Sequence, residues 1–179
     1  EAVADGLLTD YKVLVLAVDE GEVSMTFQRQ LADDGIELNL DDAAKMNGCW
    51  HALSKRGPQF GDDNVPMQRA VAFTSTIKES QRFASVFPPL VDDTLAEWSE
   101  KNAVRIEAAH VDGKTNVLER SARIAWLEEN PGRSVCRVLS NAKCLTEGVD
   151  VPALDAILFL KPRRSIVDVV QAVGRVMRL

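Results

Sequence analysis

The chain has 179 residues, of which 46% are hydrophobic and 27% are charged, and this composition is typical of a globular domain and not of a disordered segment. The net charge of −6 is unevenly spread, because the acidic excess lies in residues 1–70 and basic side chains collect after Phe159, so a local cationic surface is compatible with an acidic protein. No apolar run approaches the ~20 residues that span a bilayer, and the first residues carry no signal-peptide pattern, so we expect a cytoplasmic protein with no membrane partner.

The cysteines argue against a metal site and against a disulfide framework. Cys49, Cys136 and Cys144 are odd in number, lack the spacing of metal ligands, and could be joined only by His51 and His110. We therefore expect buried, reduced thiols and no bound metal.

The first part of the chain predicts a strand followed by helices. The elements predicted in residues 1–68 are a buried strand at 12–18, helices at 23–34 and 41–56, and a loop or linker at 57–68. The strand is predicted from a short apolar run rich in β-branched residues, and Gly57-Pro58 ends the second helix. Residues 1–68 are thus expected to form an edge strand with a helical insertion, or a bridge to another domain.

From residue 69 onward, strands and helices alternate. The predicted strands are 70–73, 104–110, 134–139 and 156–160, and the predicted helices are 76–87, 116–129 and 166–178. Thr76 and Glu79 have the spacing of a capping box at the start of the first of these helices. Such alternation indicates an α/β fold, with a parallel sheet covered by helices on both faces and ligands bound at the carboxyl ends of the strands.

The last predicted helix separates two kinds of side chain. One face carries the apolar residues Ile166, Val169, Val170, Val173, Val176 and Met177. The opposite face carries Gln171, Gly174, Arg175 and Arg178. Glycine inside a helix costs about 1 kcal/mol relative to alanine, so its presence indicates close approach by a ligand or a domain. The planar fork of donors on each arginine matches phosphate oxygens. A merely solvated helix face explains the same spacing, so the helix alone leaves both interpretations open.

A second polar segment lies between the strands predicted at 134–139 and 156–160. Thr146 offers a hydroxyl, Gly148 lets a ligand approach the backbone, and Asp150 offers a carboxylate. Ordinary turn chemistry explains this segment equally well when it is taken alone.

Taken together, residues 141–178 resemble motifs V and VI of superfamily 2 helicases. Motif VI has the form Q-x-x-G-R-x-x-R, which Gln171, Gly174, Arg175 and Arg178 match, and residues 146–150 match motif V. Residues 71–84 resemble motif IV, and residues 110–113 with Arg120 resemble the strand, turn and helix that follow it. The resemblance covers residues 69–179. It is closer to restriction-enzyme and excision-repair helicases than to DEAD-box proteins, in which motif VI usually begins with His and not with Gln.

The resemblance implies a RecA-like domain of the P-loop NTPase type, in which two arginines reach a nucleotide across an interdomain cleft. Arg175 and Arg178 would touch the terminal phosphates of ATP, with Arg178 as the arginine finger, a role that contributes roughly 10³–10⁵-fold to turnover elsewhere. The implied ATP-binding residues are Gln171, Gly174 and Asp150. The implied nucleic-acid contacts are Thr146, Gly148, Thr74 and Ser75. Lys161, Arg163 and Arg164 fit either a nucleic-acid or interdomain contact or a solvated loop.

The nucleotide itself would be held elsewhere. Gly113-Lys114-Thr115 imitates the end of a Walker A loop, but Ala108 stands where that pattern requires glycine. We therefore expect ATP and Mg²⁺ to be held mainly by a first RecA-like domain of the same polypeptide. The chain would then be a fragment that ends after motif VI and is inactive alone.

Three functions are compatible with these patterns. One is that the chain forms the second motor domain of an ATP-dependent helicase or translocase of restriction-modification type. DNA is then the expected nucleic acid in preference to RNA. The alternative is a non-catalytic RecA-like domain that binds nucleic acid or protein. The third is an unrelated doubly wound enzyme, for which the strand-end loops show no separate catalytic constellation.

Overall fold

The computed structural model describes residues 40–55, 65–97, 104–142 and 154–161. The helices are α1 (Leu40–Leu53), α2 (Ile77–Glu97) and α3 (Val117–Glu128), and the strands are β1 (Arg69–Thr74), β2 (Arg105–Asp112), β3 (Val135–Ala142) and β4 (Ala156–Phe159). The elements predicted at 12–18, 23–34 and 166–178 lie outside the described residues. Within the described ones, the predicted order of strands and helices is confirmed.

The four strands form one parallel sheet in the order β2-β3-β1-β4. Strand β1 therefore pairs on both sides, with β3 along Arg69–Thr74 and with β4 along Ala70–Phe73. Residues Ala70 to Phe73 are at most 2% exposed, as expected for a strand covered on both faces. The predicted α/β class with a parallel sheet is confirmed.

Helices cover both faces of the sheet because successive strand residues point to opposite sides. Ala70 and Ala72 of β1 pack into a core with α1 and α2. Val71 and Phe73 pack into a second core, which contains Leu127 of α3. The two layers of helix hold the sheet between them and leave its strand ends free to form loops.

Helix α2 extends ten residues beyond its predicted end at residue 87. Prolines remove backbone donors and disfavour a helix interior, yet Pro88 and Pro89 lie inside the observed helix. Leu90, Val91 and Thr94 are buried beyond them, at spacings that continue the apolar face of the helix. Burial of that face therefore outweighs the hydrogen bonds that the prolines remove, and the predicted boundary is wrong.

The described cysteines are buried, free thiols. Cys49 lies on α1 and Cys136 on β3, and neither is disulfide-bonded. Burial raises the pKa of Cys49 to about 12 and also raises the pKa of Cys136. Both remain neutral thiols at physiological pH, as the sequence predicted, while Cys144 lies outside the described residues. None of the described helices is both long enough and apolar enough to cross a membrane.

We expect truncation of Phe87 to destabilise the domain strongly. Its ring is fully buried between α2 and the sheet, so Phe87→Ala should lower the free energy of unfolding by about 3–5 kcal/mol. Urea unfolding followed by circular dichroism measures this change. The matched control is Leu118→Ala, at a side chain that is 84% exposed, which should change stability by less than about 0.5 kcal/mol. Equal effects of the two substitutions would contradict the described packing.

Candidate functional site

Three chain segments meet where the parallel strands end. Thr74 of β1 is in register with Ala142 of β3, and Asp112 of β2 is in register with the same residue. The segments that follow β1 and β2 therefore leave the sheet at one level, beside the end of β3. This strand-end edge is the place where ligands of doubly wound sheets bind.

The two predicted nucleic-acid contacts after β1 have different surroundings. Thr74 is 4% exposed, and its hydroxyl lies 3.1 Å from the carbonyl oxygens of both Thr76 and Asn141. Ser75 is exposed. A contact from outside is therefore open to the Ser75 side chain, whereas the Thr74 hydroxyl is directed to the backbone of its own domain. The nucleic-acid role of both residues remains a prediction.

The predicted capping box forms at the start of α2. The Glu79 carboxylate accepts hydrogen bonds from the amides of Ser75 and Thr76, both at 3.1 Å, and the Thr76 hydroxyl accepts from the Glu79 amide at 3.1 Å. Lys161 forms an ion pair with the same carboxylate. This lysine and then the two amides lower the pKa of Glu79. Lys161, a sequence candidate for a nucleic-acid contact, thus pairs within its own domain.

The turn after β2 is organised by Asp112. Its Oδ1 atom accepts hydrogen bonds from the amides of Lys114 at 2.7 Å and Thr115 at 3.0 Å, and its own amide donates to the Thr115 hydroxyl at 2.9 Å. Burial alone would raise the pKa of Asp112, but hydrogen bonds from Lys114, His110 and Thr115 together lower it. A carboxylate thus occupies amides that a P-loop would offer to phosphate, which agrees with the sequence argument against a Walker A loop here.

A buried polar network links this turn to α2 and β3. The Ser80 hydroxyl lies 2.7 Å from Nδ1 of His110 and 2.8 Å from the Ser140 hydroxyl, and Nε2 of His110 lies 3.1 Å from Asp112 Oδ2. The arrangement of Ser80, His110 and Asp112 resembles the catalytic triad of a hydrolase. Ser80 and Ser140 are fully buried, however, so neither hydroxyl can reach a substrate. The network holds the fold together at the strand ends and performs no nucleophilic chemistry.

Sequence reasoning did not single out Ser80, Ser140 or Asn141. Ser140 and Asn141 are fully buried at the end of the apolar strand β3, and the amide of Asn141 donates to the Ala72 carbonyl at 3.2 Å. Polar residues that end an apolar run are the signal that could have marked them, since buried polar groups require partners. Their partners lie on other elements, and the sequence does not identify these.

The remaining predicted site residues lie outside the described residues. They are Thr146, Gly148, Asp150, Gln171, Gly174, Arg175 and Arg178. Strand β3 ends at Ala142, at the strand-end edge, and the chain re-enters the sheet at β4, on the other side of β1. In the sequence, Thr146 follows the end of β3 by four residues. In the part of the chain that the structure describes, no group of three or more His, Cys, Asp or Glu side chains could hold a metal ion.

Comparison with known proteins identifies related domains. Residues 61–179 match the model of the helicase conserved C-terminal domain. The structure of the ATP-dependent Type ISP restriction-modification enzyme LlaBIII bound to DNA is similar over 99% of this chain and 11% of that chain, with 42% identity and a TM-score of 0.81. The C-terminal domain of the DEAD-box protein Dbp5 aligns with 76% of this chain and 64% of that chain, at 15% identity and a TM-score of 0.46.

A curated relative is a 51.5 kDa protein of a Lactococcus phage (isolate 7-9), which is 31% identical over 111 residues. That alignment covers 62% of this chain and 21% of the phage protein. The chain thus spans about a tenth of LlaBIII, at 11%, and about a fifth of the phage protein. The likeness to LlaBIII covers 99% of this chain, and the parallel sheet with helices on both faces fits a RecA-like fold.

We expect Asp112 to make the stability of the domain dependent on acid pH. Its pKa is lowered in the folded state, so its contribution is present above the unfolded pKa of about 3.9 and is lost as the pH falls through the folded value. Asp112→Asn should lower the free energy of unfolding at neutral pH. It should also reduce the decrease in that free energy between pH 5 and the acid limit. Urea unfolding at a series of pH values measures both effects.

Glu128→Gln is the matched control for this prediction. Glu128 is an exposed carboxylate on α3, so Glu128→Gln removes one carboxylate without changing the turn after β2. If the free energy of unfolding falls as steeply at acid pH in Asp112→Asn as in the control, the assigned role of the Asp112 carboxylate is contradicted.

Proposed function

The chain belongs to the helicase conserved C-terminal domain family, and we propose that it is the second motor domain of an ATP-dependent helicase or translocase that acts on DNA. The observation that carries the proposal is the likeness, at 42% identity over 99% of the chain, to an ATP-dependent restriction-modification enzyme bound to DNA. Identity at that level over a whole domain supports a shared mechanism more strongly than a shared fold does.

The proposed motor needs a second lobe. Among the described residues, the loop that most resembles a Walker A end has its amides bound by Asp112. We propose that ATP and Mg²⁺ are held by a first RecA-like domain of the same polypeptide, and that this chain completes the site from across the cleft. Phosphoryl transfer depends on positioning and on stabilising charge, and both can be supplied from a facing domain.

Arg175 and Arg178 are the proposed groups that complete the nucleotide site. One helical turn separates them in the predicted helix at 166–178, so both guanidinium groups would face the same side. Gln171 and Gly174 share that side, and Asp150 would stand near the nucleotide sugar. A guanidinium is permanently charged and binds phosphate oxygens through paired donors, which suits Arg178 to the charge that develops on the γ-phosphate.

The strand-end edge is the proposed DNA contact. Ser75 is exposed there, and β3, which ends four residues before Thr146, reaches the same edge. Hydroxyl and amide donors contact phosphates without reading the bases, so we expect binding with little sequence preference and a strong dependence on salt. Such binding suits a translocase that moves along DNA.

We expect Arg178→Ala to abolish DNA-stimulated ATP hydrolysis by the full-length protein. Loss of an arginine finger should lower turnover by about 10³-fold or more, and Arg175→Ala should also lower it. Steady-state phosphate release with and without DNA measures the effect. Arg133→Ala is the matched control, because Arg133 is exposed on the opposite end of the sheet, in the turn before β3. Unchanged turnover in Arg178→Ala would refute the finger assignment.

We expect a negative charge at Ser75 to weaken DNA binding. Ser75→Asp would place a carboxylate where the proposal puts DNA phosphates, and the dissociation constant should rise by about tenfold. Fluorescence anisotropy with labelled double-stranded DNA, at two salt concentrations, measures it in the full-length protein. The control is Ser121→Asp, at an exposed serine on α3. Equal binding by both variants would place the DNA elsewhere.

A further inference from the structure

The hydrogen bonds of the buried network run from Asp112 through His110 and Ser80 to Ser140. Asp112 has a lowered pKa and is therefore ionised and able only to accept, so Nε2 of His110 carries the proton that lies between them. On the other side of the ring, Nδ1 of His110 lies 2.7 Å from the Ser80 hydroxyl, which lies 2.8 Å from the Ser140 hydroxyl. Each of these side chains thus has at least one hydrogen-bond partner within the network, as buried polar groups require.

The network joins elements that are distant in sequence. Ser80 and His110 are 30 positions apart, and Ser80 and Ser140 are 60 positions apart. Through His110, the turn after β2 is thus fixed to the first turns of α2 and to the end of β3. These are the three segments that leave the sheet at the strand-end edge.

The outer side of the turn is open to a ligand. Gly113 and Lys114 are both exposed, and among the described residues the Lys114 ammonium has no carboxylate partner. A Cβ atom added at Gly113 would meet nothing within 4 Å, and the residue has no positive φ, so the fold does not require glycine here. Glycine at such a position leaves the backbone accessible to close approach from outside.

We propose that His110 is a positioning residue for DNA binding, and that the turn from Asp112 to Thr115 contacts the DNA backbone through Gly113 and Lys114. The inference rests on the proposed function and adds a residue-level contact to it. His110 holds the Asp112 carboxylate, the carboxylate holds the amides of the turn, and the turn presents a cation and a bare backbone to phosphate. Through Ser80 and Ser140, His110 is also linked to the end of β3.

The test measures ATP hydrolysis by the full-length protein as a function of DNA concentration. His110→Ala should raise the DNA concentration for half-maximal stimulation by about tenfold and change maximal turnover much less. His110→Gln retains a side-chain donor toward Asp112 and should restore part of the loss. A residue with a merely structural role would instead lower turnover and melting temperature with unchanged half-saturation, and that result would overturn the proposal.

Gly113→Ala keeps the test decisive if His110→Ala fails to fold. The added methyl group has open space in the free protein, so the melting temperature should stay unchanged while the half-saturating DNA concentration rises by about fivefold or more. Lys114→Gln should raise the half-saturating DNA concentration and reduce the dependence of that concentration on salt. The control is Ser121→Ala on α3. Half-saturation unchanged in both Gly113→Ala and Lys114→Gln would overturn the contact.

The outcome for the wild-type protein separates this inference from the proposed function. Absence of DNA-stimulated hydrolysis in wild type would contradict the proposed motor itself. Stimulated wild type, together with variants that match it at every DNA concentration, would leave the motor intact and refute only the roles of His110 and the turn.

Discussion

Pairing of β1 on both sides is the constraint on which the rest of the domain depends. The strand lies between β3 and β4, and its residues contribute alternately to the cores on the two faces of the sheet. Its amino end is held by Asp155, whose carboxylate accepts from the amides of Gln68 at 2.8 Å and Arg69 at 3.0 Å. Its carboxyl end is held through Asn141. With both ends fixed, the segment after β1 has a defined starting point.

The strand-end edge contains buried, hydrogen-bonded polar side chains and also has an exposed surface. Ser80, Ser140 and Asn141 are fully buried and satisfied by partners within the domain, so they stiffen the edge without facing solvent. Ser75 and Lys114 stand at the outside of the same edge. The proposed motor function would require this division, because a translocating contact must keep its geometry while the bound strand changes.

The sequence was informative where the determinants are local and less so where they are distant. The capping box of Thr76 and Glu79 spans three positions and was predicted correctly, as was the alternation that implies a parallel sheet. The predicted end of α2 was wrong, because Leu90 and Val91 are buried in a core that is assembled from distant segments. The network around His110 was not predicted, since its members meet only after the strands align. The roles of Arg175 and Arg178 remain predictions.

The sheet order has a consequence for how the chain acquires its structure. The side chain of Thr74 bonds to a carbonyl 67 positions later, and Gln68 is bound by a carboxylate 87 positions later. During synthesis, β1 therefore emerges well before either neighbour, and its apolar residues stay unpaired until β3 and β4 arrive. Long-range parallel pairing of this kind slows folding and exposes strand edges to aggregation. Successful expression of the domain should thus depend on protecting the nascent β1 segment, for which chaperones that bind extended apolar peptides are suited.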